Sequence, residues 1–516
     1  MKPSRPDYAT PPARARRRDV LALVALVVAG CAVVDAPPGP ADLEAGGTAL
    51  RLTADDARHL LVRTGFGASP AEVRALTGER RDLAVDRLLA DVRKVAGAPL
   101  PPELARFTRP AEGRGADEAE RRAFAARQAA LALDLRAWWL GEMLRTPAPL
   151  GERMTLFWHN HFVSSLEKVK SPALLARQNV LLRRHATGSF ADLLRAVARD
   201  PAMVLYLDSA QNRKAAPNEN FARELMELFT LGEGHYGERD VREAARAFTG
   251  WSLDRDTGEF VVRRGQHDRG KKSVLGRSGD LDGDDVIGIL LDRPETGRHV
   301  VRRLWREFVS PEPDEAVVEA VGRRFQASGH DIRVALRALL LSEAFWAPAR
   351  RGALIRSPVD LLVGTLRTFA IEVPDPAPLA VLSAGLGQNL LAPPNVKGWP
   401  GGEAWIDATT LLARKQFLDR LFRGDGMGTP GELLAGAQAR VGGAAPRGPD
   451  GRVRLAQALA GIRFDSRAWL ASLDDASGPA VARLVLALPP VVADPSGPVD
   501  LELLHRLSQD PVYQLR

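Results

Sequence analysis

The stretch NENFARELMELFTLG, residues 218–232, contains the densest helical pattern in the 516-residue chain. At about 100° per residue on a helix, its apolar and polar residues separate onto different faces. The apolar face consists of Phe221, Leu225 and Leu228. The polar face consists of Asn220, Glu224 and Glu227. Met226 and Phe229 make most of the remaining surface apolar, which predicts a helix that is buried on most sides.

Helix signals recur on both sides of this stretch. Residues 69–72, Ser-Pro-Ala-Glu, combine an N-cap, a proline at the first helical position and a capping-box glutamate. Ser357 before a proline gives a similar start. Glu259–Arg264 alone has the composition of a convincing strand, and it fits half of a small hairpin. The sequence therefore predicts a mainly α protein, in which residues 51–516 form one large multi-helical domain with a small β-hairpin insertion.

Glu224 and Glu227 are the candidate catalytic acid and base. A carboxylate pair at i and i+3, with the amide of Asn220 one turn earlier, can hold a hard cation or set an acid against a base. Arg223 lies beside them and is the candidate for steering an anionic substrate group. The structural alternative is a helix surface held by Arg–Glu ion pairs, each of which contributes only tenths of a kcal/mol.

The segment WHNHF, residues 158–162, contains two of the nine histidines of the chain. On an extended segment, His159 and His161 would lie on the same side and could share one metal ion, whereas on a helix they would diverge by about 200°. In the structural alternative, both imidazoles are hydrogen-bonded groups beside core aromatic residues. The spacing alone leaves both interpretations open.

Two further sets of candidates lie near glycines. His267 and Asp268 stand on a glycine-bounded turn after the predicted strand, where they could add a metal ligand or an oriented acid–base pair. Without the other segments, a polar loop is the better interpretation of this pair. Trp251 and Trp399 could stack on sugar rings, although anchoring of long loops is the favoured interpretation for both.

The first 50 residues are typical of an export and tethering segment. Three arginines, residues 16–18, precede an apolar run, Val20–Val28, that is too short to span a bilayer. Small residues then precede Cys31, the only cysteine, as in a bacterial lipobox whose thiol receives a lipid. We expect a lipoprotein signal peptide at residues 1–30, a flexible tether at residues 31–50, and membrane attachment through lipidated Cys31.

The expected location is therefore the bacterial cell envelope, on the periplasmic or cell-surface side. A plain secreted protein with an incidental Cys31 is the alternative. The arginines fit either a twin-arginine signal or an ordinary export signal.

The charge balance argues against a nucleic-acid partner. The formal net charge is +7 at pH 7, and residues 1–30 contain six basic and two acidic groups, so removing this excess of four leaves +3. The remaining basic residues are mixed with acidic ones, which is typical of solvated helix faces. A lipidated Cys31 leaves no thiol for a disulfide, a thiolate zinc site or a nucleophile.

In combination, these motifs resemble a bacterial family known as domain of unknown function 1800. The matching segments are residues 57–61, 65–67, 157–162, 218–232, 245–251, 267–268, 394–399 (PNVKGW) and 508–514. The resemblance implies an exported, mostly helical protein, with another exported protein encoded nearby as a partner. It supplies no catalytic residues, and the lipobox is an addition to the simpler pattern of the family.

The leading hypothesis is a metal-dependent hydrolase that acts on an envelope or extracellular polymer. The groups assigned to a divalent metal or to acid–base work are His159, His161, His267, Glu224, Glu227 and Asp268. The alternative is a non-catalytic envelope scaffold or binding protein whose polar motifs are buried hydrogen-bond networks. The two hypotheses differ in whether these groups converge on one site.

Overall fold

Helices make up most of the computed structural model, which describes residues 49–108, 117–254, 256–423 and 449–516. The described residues all belong to one compact unit. The predicted signal peptide, Cys31 and nearly all of the tether lie outside the described residues.

The helices fall on either side of a small β region. The α-helices before it span Ala54–Thr64, Pro70–Leu76, Arg81–Ala90, Glu118–Arg145, Pro149–His161, Leu166–Val169, Pro172–Arg184, Phe190–Ala198, Pro201–Tyr206, Asn220–Glu224 and Glu238–Ala247. The α-helices after it span Gly283–Leu291, Pro294–Phe308, Glu315–Ala327, Ile332–Leu341, Glu343–Trp346, Pro358–Thr368, Ala377–Gly385, Ala408–Phe422, Pro449–Ala460, Ser466–Ala471, Gly478–Val485 and Leu501–Gln509. Single 3-10 turns span Pro102–Ala105, Ser209–Gln211, Arg264–Gln266, Pro348–Arg350, Gly402–Trp405 and Pro511–Gln514.

The stretch with the densest helical pattern widens into a π-helix at Leu225–Thr230, directly after the α-helix Asn220–Glu224. The hydroxyl of Thr230 donates to the carbonyl oxygen of Leu225, five residues earlier, at 2.6 Å. The π-helix packs against the Gly283–Leu291 and Pro294–Phe308 helices. The prediction of a helix buried on most sides is confirmed, but its wider geometry was not predicted.

Local capping chemistry sets the predicted helix starts. The Ser69 hydroxyl accepts a hydrogen bond from the Glu72 amide at 3.2 Å, and the Glu72 carboxylate accepts from the Ser69 amide at 2.8 Å. Ser357 and Asp360 form the same reciprocal pair, with both distances 3.1 Å. These bonds satisfy amides that the first turn of a helix leaves without partners, so both starts are confirmed.

The predicted strand is confirmed as part of an antiparallel hairpin. Phe260–Val262 pairs with Trp251–Leu253, and Ser252 lies opposite Val261. The three residues of the first strand are buried. The β region therefore closes directly onto the helical core.

A second hairpin follows, which the sequence analysis did not predict. Lys272–Val274 pairs with Arg277–Gly279. Its turn residues Leu275 and Gly276 have φ angles of 47° and 85°. A two-residue turn with both φ angles positive usually contains Asn or Gly at its first position. Because Leu275 occupies that position, the sequence did not indicate a hairpin turn.

Buried ion pairs fix the start of the Pro149–His161 helix. The Glu152 carboxylate accepts two hydrogen bonds from Arg183, at 2.6 and 2.8 Å, and one from the Trp139 indole at 2.9 Å. The next residue, Arg153, pairs with buried Asp360. The helix is therefore anchored well before it reaches the two histidines at its end.

Within the described ranges, we found no helix with the length and apolarity that crossing a bilayer requires.

Candidate functional site

The two predicted carboxylates lie on the least buried side of the helical stretch at residues 220–230. Phe221 and Leu225 are buried in the core, as is Phe229, whereas Leu228 is half-buried like Glu224 and Glu227. The predicted apolar face is therefore confirmed for Phe221 and Leu225 but not for Leu228. The core contacts hold the backbone, and the two carboxyl groups remain within reach of solvent.

The two carboxyl groups have different surroundings. Burial, followed by the negative charge of Glu227, raises the pKa of Glu224 above its ordinary value. Glu227 accepts a hydrogen bond from the Tyr236 hydroxyl at 2.6 Å, and the Lys397 ammonium lies 3.9 Å from it. Neighbouring carboxyl groups in unequal surroundings are suited to separate roles as proton donor and proton acceptor.

Two tyrosines complete this group of side chains. Burial, and then the carboxylates of Glu224 and Glu167, raise the pKa of Tyr206. Burial, and then the hydrogen bond to Glu227, raise the pKa of Tyr236. Both hydroxyls therefore stay protonated at neutral pH and can donate hydrogen bonds. We call Glu224, Glu227, Tyr206, Tyr236 and Lys397 the acid–tyrosine site.

Asn220 lies one turn before Glu224 and joins a neighbouring polar contact. Its side-chain amide donates to the carboxylate of Asp208 at 3.5 Å, and Lys168 pairs with the same carboxylate oxygen at 2.6 Å. The Lys168 ammonium also lies 5.8 Å from the centre of the Tyr206 ring. Asn220 therefore contacts Asp208, which also binds Lys168, and does not act together with Glu224 and Glu227.

Arg223 is occupied by ion pairs. Its guanidinium contacts Glu238 at 2.7 Å and Glu219 at 3.1 Å. The hydrogen bond to Glu238 is the main reason that the pKa of Arg223 is raised. This is the Arg–Glu surface contact that the sequence analysis kept as its alternative, so the geometry gives no support to a steering role.

His159 and His161 lie in the last turn of a helix, not on an extended segment. His159 packs between two indoles, with ring centres 5.6 Å from Trp139 and 5.7 Å from Trp399. His161 instead packs beside Trp158 and donates to the carbonyl oxygen of Phe229 at 3.1 Å. The two imidazoles therefore face different surroundings, as the helical alternative requires.

Both histidines are only 2% exposed. Burial lowers the pKa of His159 to about 4. Burial, and then the positive charges of Arg303 and His299, lower the pKa of His161 well below its ordinary value. Both rings are therefore neutral at physiological pH, and their principal contacts lie in the protein interior.

A histidine that the sequence analysis did not single out acts together with His161. His299 donates to the carbonyl oxygen of Leu228 at 2.9 Å, one residue before the carbonyl that His161 binds. The two rings lie 6.0 Å apart. Together they satisfy consecutive carbonyl groups of the π-helix, whose hydrogen-bond pattern differs from that of an α-helix.

His267 and Asp268 attach a loop to the end of the Glu238–Ala247 helix. His267 donates to the Thr249 carbonyl at 2.9 Å, and the Asp268 amide donates to the Thr249 hydroxyl at 2.7 Å. The Asp268 carboxylate pairs with Arg246 at 2.7 Å. Among the residues that the structure describes, no group of three or more His, Cys, Asp or Glu side chains is arranged to hold a metal ion.

Trp251 and Trp399 are buried anchors, as the favoured interpretation held. The Trp251 ring lies 5.0 Å from that of Phe248 and 5.2 Å from that of Phe260. The Trp399 amide donates to the side-chain oxygen of Asn160 at 2.8 Å. Each tryptophan is 5% exposed, which leaves little surface for stacking on a sugar.

Three members of the acid–tyrosine site were missed by the sequence analysis. Tyr206 and Tyr236 are two of only four tyrosines, but no local pattern connects them with the carboxylates. Lys397 belongs to the PNVKGW segment, where the neighbouring tryptophan was singled out instead. Lys397 lies 170 positions from Glu227, whereas Tyr236 lies only nine residues from it.

Comparison with known proteins identifies the family. The profile of a family described as protein of unknown function (DUF1800) matches residues 59–492. The chain belongs to this family. No curated protein and no solved structure matched the chain.

The DUF1800 match includes every candidate residue of the acid–tyrosine site and the WHNHF and His267–Asp268 segments. It begins after Cys31 and ends before residues 508–514, which the sequence analysis had included in the resemblance. The family match therefore spans most of the helical domain, including the acid–tyrosine site.

Proposed function

We propose that the chain is an envelope-tethered hydrolase whose acid and base are Glu224 and Glu227, acting on an envelope or extracellular polymer. The observation that carries this proposal is the contrast between the two carboxyl groups. The pKa of Glu224 is raised by burial and by its neighbour, whereas Glu227 accepts the Tyr236 hydroxyl and faces the Lys397 ammonium. Such a contrast divides the acid and base roles between two residues of the same type.

In this mechanism, Glu224, whose pKa is raised, acts as the acid and Glu227 acts as the base. Glu227 removes a proton from the attacking water, while Glu224 donates its proton to the leaving group of the polymer. The Tyr206 hydroxyl can donate a hydrogen bond to an oxygen atom that gains negative charge, whereas the Tyr236 hydroxyl already donates to Glu227. Lys397 supplies a positive charge beside Glu227.

Export and lipid attachment are part of the proposal and rest on the N-terminal sequence. A lipidated Cys31 would keep the enzyme at the envelope, where its polymer substrate is found. Cys31→Ser is expected to move the protein from the membrane fraction to the soluble fraction. Mass spectrometry of the mature N-terminal peptide should show the lipid on wild-type protein.

The histidines are not assigned to this hydrolytic site. His161 and His267 donate to backbone carbonyls, and His159 lies between two indoles. We therefore leave a divalent metal out of the mechanism. Elemental analysis of wild-type protein and of a His159→Ala/His161→Ala variant would reveal a metal bound through these imidazoles.

Activity of matched carboxylate variants tests the proposal. Full-length protein would be incubated with isolated envelope and secreted polymers, and new reducing ends and amino groups would be counted. We expect Glu224→Gln and Glu227→Gln to lower the release rate at least about 100-fold, because each removes one proton-transfer group. Glu233→Gln is the control, since exposed Glu233 also contacts Lys397, at 3.4 Å, and its loss should change the rate less than about twofold.

Unchanged melting temperatures would show that the variants are folded. Wild-type release that survives equally in all three variants would overturn the assignment of Glu224 and Glu227. Absence of release from every polymer by wild-type protein would overturn the hydrolase proposal itself.

A second candidate function is a non-catalytic envelope scaffold or binding protein. The observation that favours it is that His161, His299 and His267 all bind backbone carbonyls and therefore stabilise the fold. Under this hypothesis, Glu224→Gln would leave the cellular role intact, and His161→Ala would act only by lowering the melting temperature.

A further inference from the structure

Two neighbouring segments, residues 213–214 and 264–271, carry an excess of exposed positive charge. Five exposed cationic side chains lie on two segments: Arg213, Lys214, Arg264, Arg269 and Lys271. We call this set the basic edge. None of the five forms an ion pair within the part of the chain that the structure describes. This concentration differs from the mixed charge that the sequence analysis expected for the basic residues.

Backbone contacts bring the two segments together. The Lys214 amide donates to the carbonyl oxygen of Gln266 at 2.8 Å. The Gly250 amide donates to the Asn212 carbonyl at 2.9 Å, and the Arg263 amide donates to the Gly250 carbonyl at 2.7 Å. Gly250 therefore joins both segments, because its amide and its carbonyl bind Asn212 and Arg263, which lie 51 positions apart in the chain.

The His267–Asp268 motif fixes the shape of this edge. Arg246 binds the Asp268 carboxylate at 2.7 Å and the Lys271 carbonyl at 3.2 Å. Asp268 also accepts a hydrogen bond from the Gly270 amide at 2.8 Å. The turn that presents Arg264, Arg269 and Lys271 is consequently held in place before any partner binds, which lowers the entropy cost of binding.

Three acidic residues of the same region form ion pairs. Glu243 and Asp268 both bind Arg246. Glu259 binds Arg177 at 2.8 Å. Arg246 offsets only one of the two charges of Glu243 and Asp268, but the five cations of the basic edge remain in excess and are available to an external anion.

We propose that the basic edge binds an acidic polysaccharide. Three of its five cations are arginines, whose planar guanidinium groups suit paired contacts with carboxylate or sulfate groups. A membrane surface fits less well, because binding at a lipid interface requires apolar side chains that insert, and Val262 is the only large exposed apolar residue in the described part of Trp251–Gly279. This inference is independent of the chemistry proposed for Glu224 and Glu227.

Binding of fluorescein-labelled dextran sulfate to full-length protein tests the proposal by anisotropy. Arg264→Ala/Lys271→Ala is expected to weaken binding about tenfold, because two charge contacts are lost. The matched control is Arg333→Ala/Arg467→Ala, which removes two exposed arginines from other helices and lowers the net charge equally. This control should retain the wild-type affinity, and higher salt should weaken wild-type binding.

Equal weakening in both double variants would show general charge attraction and overturn the proposal. Wild-type binding to neutral labelled dextran of the same length would also overturn it. Two further probes decide the class of partner: phosphatidylglycerol vesicles and duplex DNA. Tighter binding to either one, lost in Arg264→Ala/Lys271→Ala, would replace the acidic polysaccharide with that partner.

Discussion

The side-chain oxygen of Asn160 accepts a hydrogen bond from the backbone amide of Trp399 at 2.8 Å. This contact closes the PNVKGW loop onto the end of the Pro149–His161 helix. The same loop brings Lys397 to within 3.9 Å of Glu227. The acid–tyrosine site therefore depends on a contact between residues that are 239 positions apart.

Gly398 makes this close approach possible. Its φ angle is 83°, and an added Cβ would lie 2.2 Å from the side-chain oxygen of Asn160 and 2.8 Å from its carbonyl oxygen. We expect Gly398→Ala to lower the free energy of unfolding by about 2 kcal/mol or more, because the strained backbone cannot relieve the clash. Urea denaturation measures the loss. Gly276→Ala is the control, since its φ is 85° but nothing lies within 4 Å of an added Cβ, and it should cost only about 1 kcal/mol. Equal losses in the two variants would contradict the close approach.

Asp360 and Glu307 together contact two buried arginines, Arg153 and Arg516. Asp360 pairs with Arg153 and lies 3.4 Å from the Arg516 guanidinium. Asp360→Asn should lower the free energy of unfolding by about 3 kcal/mol or more, because the two buried arginines then share only the carboxylate of Glu307. Asp474→Asn breaks the exposed Arg74–Asp474 pair and should cost less than about 1 kcal/mol. A loss below 1 kcal/mol for Asp360→Asn would show that the pair is dispensable.

His161 makes stability dependent on pH. Its folded pKa lies well below the ordinary value of 6.5, because burial and then the charges of Arg303 and His299 disfavour the imidazolium. As the pH falls below about 6.5, the unfolded chain binds a proton that the folded chain does not, so stability decreases by up to about 1.4 kcal/mol per pH unit.

His161→Gln keeps a donor for the Phe229 carbonyl but cannot titrate. Its free energy of unfolding should fall less steeply than that of wild type between pH 6.5 and pH 5, as measured by urea denaturation at each pH. His235→Gln changes an exposed histidine and should leave the wild-type slope intact. A wild-type slope in His161→Gln would mean that His161 does not titrate differently in the two states.

Asp200 has the opposite dependence on pH. Burial raises its pKa to about 7, although the Met203 amide and Gln178 donate hydrogen bonds to it. The folded chain therefore holds a proton that the unfolded chain loses above about pH 4, and stability decreases as the pH rises from about 4 to 7, by up to about 1.4 kcal/mol per unit.

Asp200→Asn removes the charge but keeps the cap of the Pro201–Tyr206 helix. We expect this variant to be more stable than wild type at pH 8, with the advantage decreasing toward pH 4. Asp500→Asn is the matched control, because Asp500 caps the Leu501–Gln509 helix through the Leu503 amide but is exposed. Its difference from wild type should not grow with pH. A constant difference for Asp200→Asn would show that the buried acid is ionised throughout.

Local sequence accounts for much of the helical body. The reciprocal bonds of Ser69 with Glu72 and of Ser357 with Asp360 involve residues three positions apart, so the starts of those helices could be predicted without any tertiary contact. The half-buried position of Glu224 and Glu227 also follows from helical periodicity, since their neighbours Leu225 and Phe229 are apolar.

The roles of the polar side chains were decided by the tertiary structure. A neutral imidazole can either ligate a metal or donate a hydrogen bond to a carbonyl oxygen. His161 donates because the fold brings the carbonyl oxygen of Phe229, 68 residues away in the chain, to 3.1 Å from its ring. Tyr236 and Lys397 likewise join Glu227 only because the π-helix and the PNVKGW loop bring them together. Side-chain chemistry determined what each residue could do, and folding determined which partner each one met.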